Sequence, residues 1–568
     1  MPFQVSPSVE VREVDLTAAV PALSTSIGAI AGSFGWGPVS QIVNVSTENQ
    51  LAEIFGRPDD FTFKYFLPAA QHLQYSNVLR VVRTDREDSF NATTGTADKL
   101  IRNSDDFETT VFASDEQFVA KYPGEFGNSI GVIVVSSEDA FNDFTFTENG
   151  YDQLFDRAPG TTNFAEARGV SDDELHIVIF DVTGRWTGSP GTVLERFAGL
   201  SQAKDAKQSD GTNNYYVDVI NNRSQYVWAG SPSSALTNSG ESAFSDNLGS
   251  DGAFATSATP EEYVLEGGSD GSEADTSFSE LIGAYDLFAN AEFTDIGIII
   301  GTEAGSEDVS LANALIGIAE SRKDCVACVS PRVSRTAGSL NPTDEVKDWA
   351  DQITSSSYGI LDSSALYVFD KFNDKFRFIV AAGSVAGLLA NTDQVSEPWF
   401  SPAGFSRGQL RGVTRLAFNA DRSQRDTLYQ ARVNPIVAFP GEGIVLFGDK
   451  TAQATATAFD RINVRRLFIT LEKAISTAAQ TQLFEINDQF TRAQFRNLVE
   501  PFLREVQGRR GVTDFNVICD DTNNTPEVID TNRFVADIYI KPVRSINFIR
   551  LNFVAVRTGV EFSEIAGN

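Results

Sequence analysis

The 568-residue chain has only two histidines, three cysteines and five tryptophans. Each shortage excludes something. His72 and His176 both lie among apolar neighbours (AAQHLQY and ELHIVIF), which leaves histidine-dependent acid–base or metal chemistry without its usual side chain. Three cysteines cannot make a disulfide framework. Cys325 and Cys328 form a C-x-x-C within CVACVS, an apolar run that reads as a buried strand. Positions three apart on a strand face opposite sides, so the thiols do not converge, and Cys519 alone cannot complete the four ligands of a structural zinc site. They read as core cysteines. No run of 18 apolar residues occurs, so no transmembrane helix is expected. The start, MPFQVSPSVEVREVD, lacks a basic segment followed by an apolar one, so a secretory signal is not expected either.

Basic charge is scarce as well. With 45 Lys/Arg against 77 Asp/Glu, a nucleic-acid-binding surface is not expected. The deficit is localised. Residues 87–308 hold 10 basic and 40 acidic side chains, whereas residues 401–568 hold 21 and 18. A strongly acidic block is most stable facing water, because burying uncompensated carboxylates is costly. The near-neutral end can pack against other copies without strong repulsion. An adaptation to salt would explain the acidity but not its segregation.

What the chain has in quantity is phenylalanine, 43 residues, which points to densely packed β-rich interiors. The length implies three or four domains. Phe3, Val5, Pro7, Val9 and Val11 alternate with polar residues, predicting a half-buried strand whose proline suits an edge. A Gly-rich apolar stretch (28–38), a helical pattern in FLPAAQHLQYSN and a strand VLRVVRT follow. Residues 87–275 read as one or two acidic, β-rich inserted domains with strands GVIVVSS, HIVIFDV and YYVDVI, and with long loops at 230–279. Residues 295–331 predict a βαβ unit with its helix at 309–322, and DEVKDWADQI and SALYVFDKF continue the α/β layer. The loop GTEAGSEDVS lacks the G-K-[ST] ending of a phosphate loop and carries Glu303, Glu307 and Asp308, which repel phosphate.

Two amphipathic helices are predicted near the end. One spans 452–479, with Val464, Leu467, Phe468, Leu471 and Ile475 on one stripe. The other starts at Thr491 in a T-R-A-Q capping box, is kinked by Pro501 and stops at Gly508. Arg492, Arg496 and Arg504 fall on its polar face, with Arg509 and Arg510 beyond; Arg461, Arg465 and Arg466 form a second basic cluster. Strands follow at FVADIYIKPV, where Phe534, Ala536, Ile538 and Ile540 alternate, and at INFIRLNFVAV, where Ile549, Leu551 and Phe553 do.

These residues, in this order, resemble the tail sheath proteins of contractile-tailed bacteriophages, and more distantly type VI secretion sheaths. The resemblance is carried by VNPIVAFPGEGIVLFGDKTA (433–452), FDRINVRRLFITLEKAI (459–475), FEINDQFTRAQFRNLVEPFLREVQGRRGV (484–512) and SVAGLLANTDQVSEPWFSPAG (384–404). AGSFGWGP (31–38), PGEFGNSIGVIV (123–134) and EGGSDG (266–271) also have sheath-like counterparts.

The resemblance implies an α+β and α/β multidomain fold. Its parts are an arm at 1–20, a core from 21–86 with 276–432, outer domains at 87–275, an inner domain at 433–545 and a second arm at 546–568. It implies a structural, non-enzymatic protein of the virion, assembled in the host cytoplasm, with no cofactor or metal. Its expected partners are itself in sixfold rings, the tail tube protein, and baseplate and tail terminator proteins, with no nucleic acid or membrane insertion. The arms, carrying Phe3, Val5, Val9, Val11, Ile549, Leu551 and Phe553, would add strands to neighbouring subunits. At about 1 kcal/mol per net hydrogen bond, such an arm contributes several kcal/mol, multiplied over a lattice. Either basic cluster would face the tube, against the alternatives of a solvated face or bridges to acids on another subunit.

Two other classes fit less well. A carboxylate-based glycosidase needs two distinguished acids among the 77, and none stand out. A calcium-binding adhesin would rest on GGSDGSEAD (267–275), which lacks EF-hand spacing.

Overall fold

A computed structural model describes residues 25–96, 98–230, 254, 256–271 and 276–547. Both terminal strands expected from the alternation, and most of the Gly/Ser-rich stretch, lie outside these residues. The chain divides into two compact units, one of residues 23–398 with 402–465, the other containing 399–401 and 466 onward.

The larger unit is built on a seven-stranded sheet in the order Val433–Asn434, Gly359–Asp362, Val326–Val329, Ile298–Ile300, Gly28–Gly32, Leu79–Arg83, Ile42–Val45. All neighbours are parallel except the last pair. The βαβ unit is present as Ile298–Ile300, helix Asp308–Arg322 and Val326–Val329. Because Val433–Asn434 belongs to this sheet, residues 433–465 stay with the core, and the compact C-terminal unit starts at residue 466.

One interior strand, between Ile298–Ile300 and Leu79–Arg83, is the Gly-rich segment Gly28–Gly32, buried throughout. Its glycines allow close approach. A Cβ at Gly28 would sit 2.6 Å from His72 Nε2, and one at Gly32 would sit 2.6 Å from Tyr65 Cβ, both on helix Phe63–Leu73. Helix Ala382–Val395 comes just as close to that helix: a Cβ at Gly383 would lie 2.1 Å from the Pro68 carbonyl oxygen. Packing of helix backbone against strand overrides the poor strand propensity of glycine.

Two expected strands behave differently. Leu366–Asp370, within SALYVFDKF, does not extend the parallel layer; it pairs antiparallel with Lys375–Ile379 and Val413–Leu416 in a separate three-stranded sheet. Its alternation, Leu366 and Val368 buried but Phe369 exposed, suits a sheet with one solvated face, whereas the layer's next strand, Gly359–Asp362, is wholly buried. YYVDVI is not a strand but the start of helix Tyr216–Arg223. Tyr216, Val219 and Ile220 follow helical spacing and all enter one core, and the alternating reading of the segment loses to that packing.

The acidic insert leaves the core just after Arg83. Its neck is the short antiparallel pair Ser89–Phe90 with Ser269–Asp270. Arg83 is buried there and donates to the carbonyls of Gly37 (2.9 Å) and Pro123 (2.7 Å), tying core to insert. Burial lowers its pKa to about 10. Within the insert, Glu261–Val264, Ile130–Val135, Glu174–Asp181 and Thr192–Ser201 form a four-stranded antiparallel sheet. Its middle strands are covered on both faces, Val132, Val134, Ile177 and Ile179 in one core and Ile133, Val135, Val178 and Phe180 in another. The few buried acids are satisfied: Asp181 accepts from Ser129 Oγ (2.6 Å) and from the amides of Trp186 and Thr187 (2.9 Å each).

Two buried titratable groups in the parallel layer act in opposite senses. His72 is fully buried without well-formed hydrogen bonds to its ring, and burial lowers its pKa to about 4. Asp362 accepts from Ser330 Oγ at 2.5 Å, yet burial raises its carboxyl to about 7. For His72 the unfolded chain binds the extra proton between about pH 6.5 and 4, so its contribution is lost as pH falls through that window. For Asp362 the folded chain holds the proton, so stability present below pH 3.8 is lost as pH rises through about 7. Relative to wild type, His72→Leu should gain stability toward acid pH and Asp362→Asn toward neutral pH, each by at most about 1.4 kcal/mol per pH unit. Melting temperatures at pH 4.5 and 6.5 check this, and identical pH dependence in all three proteins would contradict it.

Candidate functional site

The C-terminal unit is organised by helix Gln489–Gly508 and the antiparallel pair Val512–Ile518 with Asp537–Pro542. Phe495, Val499, Leu503 and Val506 line the buried stripe of the helix, against Val512 and Val517 of the first strand. Phe534, Ala536, Ile538 and Ile540, the alternating residues, pack on the same core, with Phe534 edge-on to Phe495 at 5.4 Å. Leu467, Leu471 and Ile475 complete it.

The helix ends differ from expectation. The N-cap is Asp488, whose carboxylate accepts from the Thr491 amide (2.8 Å), so the helix begins one turn before the expected T-R-A-Q box. That hydrogen bond holds the Asp488 carboxyl below the usual range. The helix runs through Pro501 unbroken, since the carbonyl its missing N–H leaves unpaired is that of exposed Asn497, which water can satisfy. At the other end Gly508 is still helical. The left-handed residue is Arg510 (φ 64°), with Gly511 N–H bonded to the Val506 carbonyl and Arg510 N–H to that of Gln507. Trp399, from the SEPWFSPAG motif, donates its indole N–H to the Arg509 carbonyl at 3.1 Å.

The helix expected over 452–479 starts only at Ile462. Ahead of it, Thr451 Oγ1 donates to the Phe459 carbonyl and Thr457 Oγ1 accepts from the Phe459 amide, local bonds that compete with a helix.

The eight arginines do not form two exposed clusters. Arg465 is buried between the rings of Tyr358 (4.5 Å) and Phe459 (4.2 Å), and Arg466 is buried too. Arg461 bonds Asp449 (3.0 Å) and the Tyr429 hydroxyl. Arg492, expected on the polar face, has a side chain only 6% exposed and reaches Asp521 (2.7 Å) and Asn487 (3.1 Å). Helix periodicity misplaces it because the loop carrying Asp521 covers that edge. Arg496, Arg504, Arg509 and Arg510 are on or near the surface. Glu500 pairs with Arg496 (3.6 Å) and Arg504 (3.4 Å), and Glu505 with Arg509 (2.7 Å).

Sequence reading missed one surface. Leu483, Phe484 and Ile486, in the connection before this helix, and Phe490 in its first turn are all largely exposed, Phe484 fully and at φ 70°. The signal available was four large apolar residues within eight positions of an otherwise polar linker.

No described helix is long and apolar enough to cross a membrane. Among the described residues, no three His, Cys, Asp or Glu side chains are grouped to hold a metal ion. Cys325 and Cys328 are buried in the parallel sheet, and burial pushes the Cys325 thiol up to about 12. Asp308 of the Gly loop is bound to Arg335 at 2.7 Å.

Three family models match the chain: the tail sheath protein Gp18 domain III N-terminal region at 25–84, the phage tail sheath protein central domain at 279–452, and the phage tail sheath C-terminal domain at 454–555. The tail sheath protein of Vibrio phage KVP40 is 33% identical over 99% of both chains. The chain belongs to the phage tail sheath protein family. The tail sheath protein of Enterobacteria phage T4 is 32% identical, again over 99% of both chains. Among solved structures, the sheath tail protein of Listeria innocua shares the fold with a TM-score of 0.54 at 13% identity, covering 91% of this chain and 92% of that one. The contracted helical sheath of the anti-feeding prophage gives 0.51 at 12%, covering 97% and 99%. This sheath protein is thus a structural component of a contractile phage tail. Residues 85–278, which include the whole of the acidic insert at 87–275, lie outside the three family models.

The burial pattern separates structural from surface arginines. Arg492→Ala should lower stability by about 1–3 kcal/mol through its lost charge-assisted hydrogen bonds. Arg504→Ala, with a side chain 71% exposed, should stay within about 0.5 kcal/mol. Thermal unfolding of the two variants checks the order, and equal effects would contradict it.

Proposed function

We propose that the chain polymerises as stacked sixfold rings around a tail tube and that contraction of this sheath drives the tube through the host envelope. Its role is mechanical and not catalytic. Subunits assemble in the host cytoplasm, onto a baseplate and up to a terminator, and are linked by exchanged terminal strands.

The observation that carries the linkage is the strand pair Val512–Ile518 with Asp537–Pro542. Among the described residues it has no third strand. A two-stranded ribbon is marginal by itself, and each open edge presents a row of backbone groups to an incoming strand. Both termini supply sequences suited to that role: Phe3, Val5, Val9 and Val11 alternate at one end, Ile549, Leu551 and Phe553 at the other. Both segments lie outside the described residues, so this support comes from their sequence and from the open edges.

For the tube, burial removes Arg465, Arg466 and Arg492 from the contact surface, and Arg461 is engaged by Asp449. The tube-facing charge in this proposal is Arg496, Arg504, Arg509 and Arg510. Salt-screened contacts of that kind release readily during contraction. The exposed run Leu483, Phe484, Ile486 and Phe490 adds apolar area for another molecule to cover.

Negative-stain electron microscopy tests the linkage on the full-length protein beside a variant lacking residues 1–16. Tubes or stacked rings from the first, lost in the second while its melting temperature is unchanged, are expected. Tubes from both would contradict an essential N-terminal arm.

A further inference from the structure

The three-stranded sheet of the larger unit has an aromatic face that is left partly exposed among the described residues. Tyr367 lies opposite Phe378, and Phe369 opposite Phe376, so all four rings share one face. Tyr367 stacks on Phe376 at 5.3 Å and meets Phe378 at 4.6 Å. The other face, with Leu366, Val368 and Ile379, is buried. Phe369 and Phe376 remain 46% and 47% exposed. Arg415, opposite Tyr367 on the neighbouring strand, lies over the rings of Tyr367 (4.3 Å) and Phe378 (4.9 Å). Among the described residues no hydrogen bond or ion pair engages this exposed guanidinium. The rings hold it in place while its donors stay unspent, an arrangement suited to a carboxylate flanked by an apolar side chain.

The insert carries a surface of that chemistry. Residues 138–156 contain six acids and no base. Phe144 of this segment is 72% exposed, and Glu138, Asp139 and Glu148 of the same segment are exposed as well. None of these three acids is ion-paired among the described residues. The surroundings of Arg415 have the opposite balance, six arginines and two acids over residues 401–432.

We infer that the acidic lobe around Phe144 of one copy docks on the Arg415 aromatic face of another. Both surfaces are exposed in the single chain, so they do not cover each other and the contact is intermolecular. Joining two different patches makes a head-to-tail interface, which closes into rings or propagates as a helix, as a sheath requires. The inference rests on self-assembly but not on strand exchange: it supplies a side-chain contact through the insert that the terminal strands do not make.

Cysteine cross-linking tests it, because the three native cysteines are buried and give little background. Chains carrying Phe144→Cys and chains carrying Phe376→Cys are mixed, assembled and treated with a short bis-maleimide. A two-chain product from the mixture, and not from either chain alone, is expected. Arg415→Glu should slow assembly about tenfold, and combining it with Glu138→Lys, Asp139→Lys and Glu148→Lys should restore much of the rate. Tubes of normal appearance without the product, or Arg415→Glu assembling at the wild-type rate, would overturn the contact and leave sheath assembly standing. Wild-type chains that form no tubes, together with a cysteine mixture that gives no product, would contradict both.

Discussion

The fold depends on the pairing of one short strand with two neighbours of very different origin. Gly28–Gly32 hydrogen-bonds to Leu79–Arg83, close by in sequence, and to Ile298–Ile300, beyond the whole insert. Gly28 and Gly32 at its ends must lack side chains where helix Phe63–Leu73 lies directly on it, and helix Ala382–Val395 packs tightly against that helix through Gly383. The cost of closing a long loop grows only slowly with its length, so once this pairing is made a large insert can hang from the neck at Arg83 and Asp270 with little penalty to the core.

Charge follows the same division. The insert carries 33 of the 77 acids against only 10 basic side chains, and buried carboxylates described in it, such as Asp173 and Asp181, are saturated by hydroxyls and amides. The C-terminal unit is close to neutral, and its exposed arginines are largely balanced by glutamates one turn away. A self-assembling protein gains from this. Like-charge repulsion is confined to one region, and the patches that attract are few and specific.

How far sequence carried the reading depended on whether an element's pattern was local. The βαβ unit was legible because Ile298–Ile300, the 308–322 helix and CVACV show undisturbed periodicity. The C-terminal helix and the alternating residues of 534–540 were legible for the same reason. Gly28–Gly32 was not read as a strand, because its strand character comes from neighbours distant in sequence. YYVDVI was misread since β-branched and aromatic residues suit a strand and a helix alike, and the core it enters decides. Of the basic clusters, period alone exposed Arg492, whereas the loop bearing Asp521 buries it. The family was legible from the order of its motifs along the chain, while the exposed Phe484 segment and the Arg415 face emerged only from the folded surface.

The central claim is that the two open edges of the C-terminal strand pair receive strands from other copies. Hydrogen–deuterium exchange on free subunits and on assembled particles measures this directly. Slower exchange on assembly at backbone amides of Val512–Ile518 and Asp537–Pro542 that are not already paired with each other is predicted. Unchanged exchange along both strands in particles of normal appearance would contradict the account.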